Sequence, residues 1–208
     1  MSQPRLPGRV LALTPGDLTA DGVADLVRKV REAAGAGLDS ILLREPALSD
    51  RATLELALEL RDLLGETGWL GIHDRVHLAS VARADAVHLG FRSLPIREAR
   101  AICAESIALG FSAHAHDVPE AWDGADYLTF GPVFATPSKF GLVEPVGVDG
   151  LLQAVRSTSI PIFALGGIGA ENAGALAATG CRGIAVRSAW METQGTRARW
   201  LDLVRSSR

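Results

Sequence analysis

Pro161-Ile-Phe-Ala-Leu-Gly-Gly-Ile-Gly-Ala170 is the stretch that decides the fold. Pro161–Leu165 reads as a buried strand, which runs into Gly166, Gly167 and Gly169 and then into a helical pattern over Ala170–Thr179. Glycines between a strand and a helix let the backbone turn sharply and bring its N–H groups close to an anion. A helix that follows adds the positive end of its dipole. The echo Gly183-Ile-Ala-Val-Arg-Ser-Ala-Trp190 is a second short apolar strand, ending in Arg187-Ser188. Two consecutive strand ends of this kind, late in a chain of alternating strands and helices, describe the phosphate cup of a (β/α)8 barrel.

Upstream the alternation repeats. Val10–Thr14 is an apolar run closed by Pro15-Gly16, and Asp21–Ala36 carries Val23, Leu26, Val27 and Val30 at helical spacing. A second strand begins at Ser40 and stops at Pro46, and Ser49 can cap the leucine-rich helix that follows. Strands three to six fall over Trp69–Asp74, Ala86–Gly90, Ile107–His114 and Tyr127–Phe134. Helices are expected over Val76–Arg83, Pro95–Glu105, Asp117–Asp123, Val148–Ser157 and, last, Arg197–Arg205. Eight βα units with near-continuously apolar strands predict a single (β/α)8 TIM barrel, one domain over residues 1–208. An open doubly wound sheet is disfavoured, because a dinucleotide fold carries its glycines after the first strand and Val10–Pro15 has none of them.

Composition narrows the function classes. In 208 residues, 48% hydrophobic content allows a large core, and a formal net charge of −3 gives no footprint for nucleic acid. No apolar stretch reaches the roughly 20 residues that span a bilayer, and the N-terminus lacks a signal-peptide apolar region. Cys103 and Cys181 have no metal spacing, and a reducing cytoplasm is the expected compartment. A homo-oligomer is compatible with the sequence.

The barrel rule turns strand ends into residues facing one mouth. These are Arg44 and Glu45, His73 and Asp74, His88, Ser112 and His114 with His116 beside it, then Thr136, Ser138 and Lys139, and lastly Gly166, Gly167, Arg187 and Ser188. The opposite rim carries no comparable set of polar signals. In Phe134-Ala-Thr-Pro-Ser-Lys-Phe-Gly141, two hydroxyls and the Lys139 ammonium form a phosphate grip on a loop long enough to act as a lid. His73, His88 and His114 end three neighbouring strands, which raises the competing reading of a histidine-rich metal site.

Several of these segments carry a family likeness. Ile72-His-Asp-Arg-Val76, Ala84-Asp-Ala-Val-His-Leu-Gly90, Gly110-Phe-Ser-Ala-His114, Ala125–Lys139, Ala164-Leu-Gly-Gly-Ile168 and Gly183-Ile-Ala-Val-Arg-Ser188 together resemble the thiamine phosphate synthase/TenI family, in order and spacing over nearly the whole chain. The resemblance implies a (β/α)8 barrel. It also implies a thiazole phosphate held by Thr136, Ser138, Lys139, Gly166, Gly167 and Ser188, with Arg187 beside them. Synthase members join a pyrimidine pyrophosphate to that thiazole phosphate with magnesium. Of their Gln-x-Arg-x-Lys pattern, Leu42-Leu-Arg44-Glu-Pro46 keeps only the arginine. Asp74 is kept, His73 stands for the Asn before it, Ser93 stands for the second magnesium Asp, and Ser112 is retained.

Losing a cation, a donor and an anionic ligand weakens the handling of a magnesium diphosphate. The resemblance therefore points first to a TenI-like, cofactor-free thiazole tautomerase. That family branch places a His where this chain has Pro132, so the proton transfer falls to His73 or His114, with Asp74 orienting or replacing them. One alternative is a thiamine phosphate synthase holding magnesium at Asp74; the other is a non-catalytic thiazole phosphate binder.

Overall fold

The computed structural model describes residues 4–136 and 143–191. Eight parallel strands close into one barrel in sequence order: β1 (Val10–Leu13), β2 (Ser40–Leu43), β3 (Trp69–His73), β4 (Ala86–Leu89), β5 (Ala108–Ala113), β6 (Tyr127–Phe130), β7 (Ile162–Leu165) and β8 (Gly183–Val186). β8 returns to β1 through Val10↔Ile184 and Ala12↔Val186, which closes the sheet. Among the described residues the outer layer holds α1 (Val23–Gly35), α2 (Asp50–Leu64), α3 (Ile96–Ile102), α4 (Gly147–Ser157) and the short α5 (Ser188–Met191). No helix among them is long and apolar enough to cross a membrane. The helix expected over Arg197–Arg205 lies outside the described residues.

Several outer elements are shorter than their sequence pattern suggests. After β3 the helical pattern gives only a 3₁₀ turn, Val76–Leu78, because Asp74 (φ 66°) and Arg83 (φ 52°) adopt left-handed backbone at either end. After β5 there is again only a 3₁₀ turn, Pro119–Trp122. After β7 the expected α-helix is a 3₁₀ stretch, Ala173–Thr179, stopped by left-handed Gly180; its buried side chains are Leu176 and Thr179. The dipole support expected behind the glycine turn is therefore absent. β6 stops at Phe130, and Gly131-Pro132 beyond it is a cis peptide.

The strand pleat sorts side chains strictly. Val10, Ala12, Ile41, Leu43, Leu70, Ile72, Val87 and Leu109 point outward to the helices, within the larger core cluster. Leu11, Leu42, Trp69, Ala86, Ala108, Tyr127, Phe163 and Ala185 fill the barrel interior. Tyr127 stands edge-on to Trp69 (5.9 Å, 80°) and to Phe163 (5.9 Å, 83°). Three large rings fit only because glycines face them. A Cβ on Gly110 would lie 2.2 Å from Tyr127 Cζ, and one on Gly71 would lie 2.6 Å from Trp69 Cη2.

Below the rings the floor is sealed by a polar clamp, which corrects the expectation that this rim lacks polar signals. Asp85, just before β4, accepts from Arg61 (2.9 Å), from the Leu70 N–H (2.8 Å) and from Arg5 (3.0 Å). Asp126, just before β6, accepts from Arg100 and from the Leu109 N–H (2.6 Å). Arg5 also donates to the carbonyls of Glu66, Thr67 and Gly68, and its own carbonyl accepts from Trp69 Nε1 (3.0 Å). Ala84-Asp85 and Ala125-Asp126 are thus stability elements, as expected of the N-terminal face of such a barrel.

Above the rings sits His88, 2% exposed. Its Nδ1 lies 3.1 Å from the Tyr127 hydroxyl, and its Nε2 lies 3.0 Å from Ser112 Oγ and 3.2 Å from Thr129 Oγ1. Among the described residues Tyr127 has no other hydrogen-bond partner, so its hydroxyl is assigned as donor to Nδ1; Nε2 then carries the proton toward Ser112 and Thr129. Burial, helped by the His73 ring and the Arg44 charge, pushes the His88 pKa down to about 3.

Two stability measurements test these features. Asp85→Ala leaves the buried Arg61 guanidinium without its counter-charge, and equilibrium denaturation should register a loss of about 3–5 kcal/mol; a loss below 1 kcal/mol would show that the clamp is dispensable. His88 binds a proton more readily unfolded (pKa about 6.5) than folded. Its contribution is therefore complete above about pH 6.5 and is lost as pH falls from there toward about 3, approaching tenfold in the folding constant per pH unit. His88→Gln should flatten the acid limb of denaturation midpoint against pH; an unchanged limb would rule the histidine out as its cause.

Candidate active site

Pleat parity decides what faces the mouth. The inward-facing positions, carried one pleat past the C-terminal strand ends, give Arg44 after Leu42, Gly90 after His88, His114 after Ser112, Gly131 after Thr129, Gly167 after Leu165 and Arg187 after Ala185. All of them line one cavity of about 900 Å³ at the C-terminal ends of the strands. His73, Asp74, Ser112, Thr136, Gly166 and Ser188 line it too. Of the expected mouth residues within the described chain, all but Glu45 and His116 are thus brought to one pocket. Ser138 and Lys139 lie outside the described residues.

On the β2–β4 side, the Arg44 backbone N–H donates to Thr14 Oγ1 (2.8 Å) and its guanidinium passes over Gly16, where a Cβ would lie 2.3 Å from Nη1. Glu45, its neighbour, does not belong to the mouth. It is buried, and its carboxylate accepts from the Gly16 N–H (2.9 Å) and the Leu18 N–H (2.8 Å), pinning the β1 loop against β2. His73 ends β3, and burial first, then the Arg44 charge, lowers its pKa to about 4 despite Asp74. It is therefore neutral at physiological pH. Asp74 is off parity; its left-handed turn, with Arg75 N–H donating to the His73 carbonyl (2.8 Å), turns a residue that would point away into the cavity lining. Aspartate tolerates that backbone better than most residues.

β5 supplies Ser112, tied to His88, and His114, whose N–H donates to Asp117 Oδ2 (2.7 Å) while its ring Nδ1 stands 3.6 Å from the same oxygen. His116 is exposed and does not line the cavity. On the β6–β8 side, Phe134 N–H donates to the Gly166 carbonyl (3.0 Å) and Val133 N–H to the Leu165 carbonyl (2.9 Å). The β6 extension therefore lies directly on the β7 turn. A Cβ would stand 1.9 Å from the Leu165 oxygen at Gly131, 2.6 Å from Pro132 Cα at Gly166 and 2.5 Å from the Ala135 oxygen at Gly167. These glycines are required by that crossing as well as by their positive φ angles of 100° (Gly166) and 64° (Gly167). Asn172 holds the turn from beneath, donating to the Gly167 carbonyl (2.8 Å) and accepting from the Gly169 N–H (3.0 Å). The short 3₁₀ stretch leaves this side chain to do what a helix start would have done.

Sequence reasoning missed the roles of Asn172 and Thr129. An Asn three residues after Gly169 was the readable signal for the first, and inward parity for the second. The histidine-rich metal site is not assembled: among the described residues no three His, Cys, Asp or Glu side chains gather to hold an ion. Magnesium asks for less. It commonly takes one or two protein carboxylates and completes its octahedron with substrate phosphate oxygens and water. Asp74, with the Ser93 hydroxyl in the same cavity, fits such a partial set.

The thiamine monophosphate synthase family model matches residues 12–190. A thiamine-phosphate synthase of Chloroflexus aurantiacus is 43% identical over 166 residues, 78% of this chain and 76% of that protein. One of Gloeobacter violaceus is 41% identical over 181 residues; it covers 85% of this chain, which spans about half (53%) of that longer protein. The structure of a thiamine phosphate pyrophosphorylase from Pyrococcus furiosus is similar over 96% of both chains, with a TM-score of 0.80 and 32% identity. These relatives overturn the tautomerase expectation, since they carry the synthase name over most of the chain. Burial also leaves His73, one of the two nominated proton carriers, a weaker base than a free imidazole. The chain belongs to the enzymes of the thiamine monophosphate synthase family.

Proposed function

We propose that this chain is a thiamine-phosphate synthase, which joins hydroxymethylpyrimidine pyrophosphate to a thiazole phosphate and releases pyrophosphate. The observation that carries the reading is one mouth with two separate anion-handling sides, matched over its length to synthases. Guanidiniums and Asp74 stand on β2–β4, and the glycine turn with Thr136, Arg187 and Ser188 stands on β6–β8. The bond between the pyrimidine methylene carbon and the pyrophosphate oxygen breaks, and its electron pair leaves with pyrophosphate. The thiazole ring nitrogen donates its lone pair to that carbon; no redox partner is needed and no proton moves.

Each residue then has a task. The Gly166–Gly167 backbone, Thr136 and Ser188 seat the thiazole phosphate, and the family resemblance gives Ser138 and Lys139 a share of that task. Arg44 meets the negative charge that grows on the departing pyrophosphate. Ser112 accepts from His88 Nε2, which leaves its own proton to be offered to a ring nitrogen of the pyrimidine. Asp74 and Ser93 would hold a magnesium ion, which supplies charge neutralisation at the pyrophosphate. His73 and His114 border the pyrimidine and carry no proton-transfer step. The reaction runs in the cytoplasm on small phosphorylated substrates, within a single domain.

The test is release of pyrophosphate from the two purified substrates in magnesium buffer; no release above the protein-free rate would sink the proposal. Asp74→Asn keeps a residue that accepts the left-handed turn and removes the charge. It should fold normally and lose at least ~100-fold in rate, on the scale of one lost transition-state contact of about 3 kcal/mol.

A further inference from the structure

Four arginines line the cavity, and they are not equivalent. Arg75 is spent on the scaffold: it donates to Asp50 Oδ1 (2.9 Å) and to the carbonyls of Leu48 and Glu45. Arg44, Arg92 and Arg187 have no carboxylate within ion-pair distance among the described residues, although paired arginines are common elsewhere in the chain. Against these three free positive charges the lining offers two carboxylates, Asp74 and Glu171. Such an excess is stable only in water or against an anion, so the mouth favours a highly charged phosphate ligand.

Arg92 occupies a telling place. It lies on the loop after β4, on the same side as Arg44, and β3 with Asp74 runs between them. Two strand spacings separate the ends of β2 and β4, about 10 Å, a gap that two arginine side chains can close on a diphosphate from either flank. Gly90, which starts the loop, is close to the β3 end, since a Cβ there would lie 3.9 Å from His73 Nε2. The Arg92 guanidinium rests over the Phe91 ring, 5.3 Å from its centroid, and that ring is 78% exposed at the rim. Beside it Ser93 is neutral, with its hydroxyl accepting from the Gly90 N–H (2.8 Å). The loop therefore brings a cation, and no anionic metal ligand, to the diphosphate side.

We propose that Arg92 is a substrate-binding residue that grips the diphosphate together with Arg44, so that guanidinium charge does part of the work a second metal carboxylate would otherwise do. This rests on the synthase reading for the identity of the diphosphate. A planar fork binds phosphate oxygens in pairs and carries its charge at every working pH.

The experiment is calorimetric titration of the full chain with inorganic pyrophosphate, in EDTA and in magnesium. Wild-type protein should bind pyrophosphate in EDTA. Arg92→Gln should weaken that binding at least ~10-fold, Arg92→Lys less, and Arg51→Gln on the outer face of α2 not at all. Pyrophosphate release from the two substrates should also need more magnesium in Arg92→Gln than in wild type. No binding in EDTA, equal binding by Arg92→Gln, or loss through Arg187→Gln but not Arg92→Gln each overturns the proposal. Binding through Arg92 without turnover of the two substrates would leave it standing and defeat the synthase reading. Turnover with Arg92→Gln indistinguishable from wild type, in binding and in magnesium requirement, would do the reverse.

Discussion

The structure depends on how three aromatic rings share the inside of an eight-stranded barrel. Trp69, Tyr127 and Phe163 meet edge to face, and Gly71 and Gly110 vacate the space they need. Edge-to-face contact fixes ring orientation as well as distance. The Tyr127 hydroxyl therefore points at one atom, His88 Nδ1, and the order of the core passes through His88 to Ser112 at the cavity floor. Packing and chemistry are here one continuous arrangement: what makes the barrel solid also sets the direction in which a hydroxyl proton is presented.

The two sides of the mouth are built by different means. On β6–β8 the backbone does the work. Close crossing of the β6 extension over the β7 turn demands glycine, and Asn172 ties the turn from below. On β2–β4 side chains do it, each held by an indirect strut: Glu45 braces the loop beside Arg44, and a left-handed turn swings Asp74 into line. The backbone side leaves little room for variation. The side-chain side can exchange one charge for another without moving the scaffold. This is where the chain departs from the family pattern, with Leu42, Pro46 and Ser93 all lining the cavity.

Much of this was legible in the sequence, for identifiable reasons. Eight short apolar runs separated by turn signals fix a barrel, because strand period and chain order leave few other ways to bury them. Strand ends name Arg44, His73, Ser112 and Arg187, because inward parity persists to the strand end and one step beyond, and they name Asp74 and Ser188 as the neighbours of such positions. The outer helices were overread, since helical spacing in Val76–Arg83 and Ala170–Thr179 says nothing about left-handed residues that cut them short. The floor clamp was invisible because Arg5, Arg61 and Asp85 are far apart in sequence and meet only through tertiary folding. The choice between tautomerase and synthase rested on which charges were missing, and a tally of losses cannot count a guanidinium that arrives from another position.

The sealed floor has a consequence for traffic. Arg5, Trp69 and the clamp at Asp85 close the lower end, so the cavity opens at the C-terminal ends of the strands. A ligand seated deep in it passes whatever occupies the space above on its way in and out.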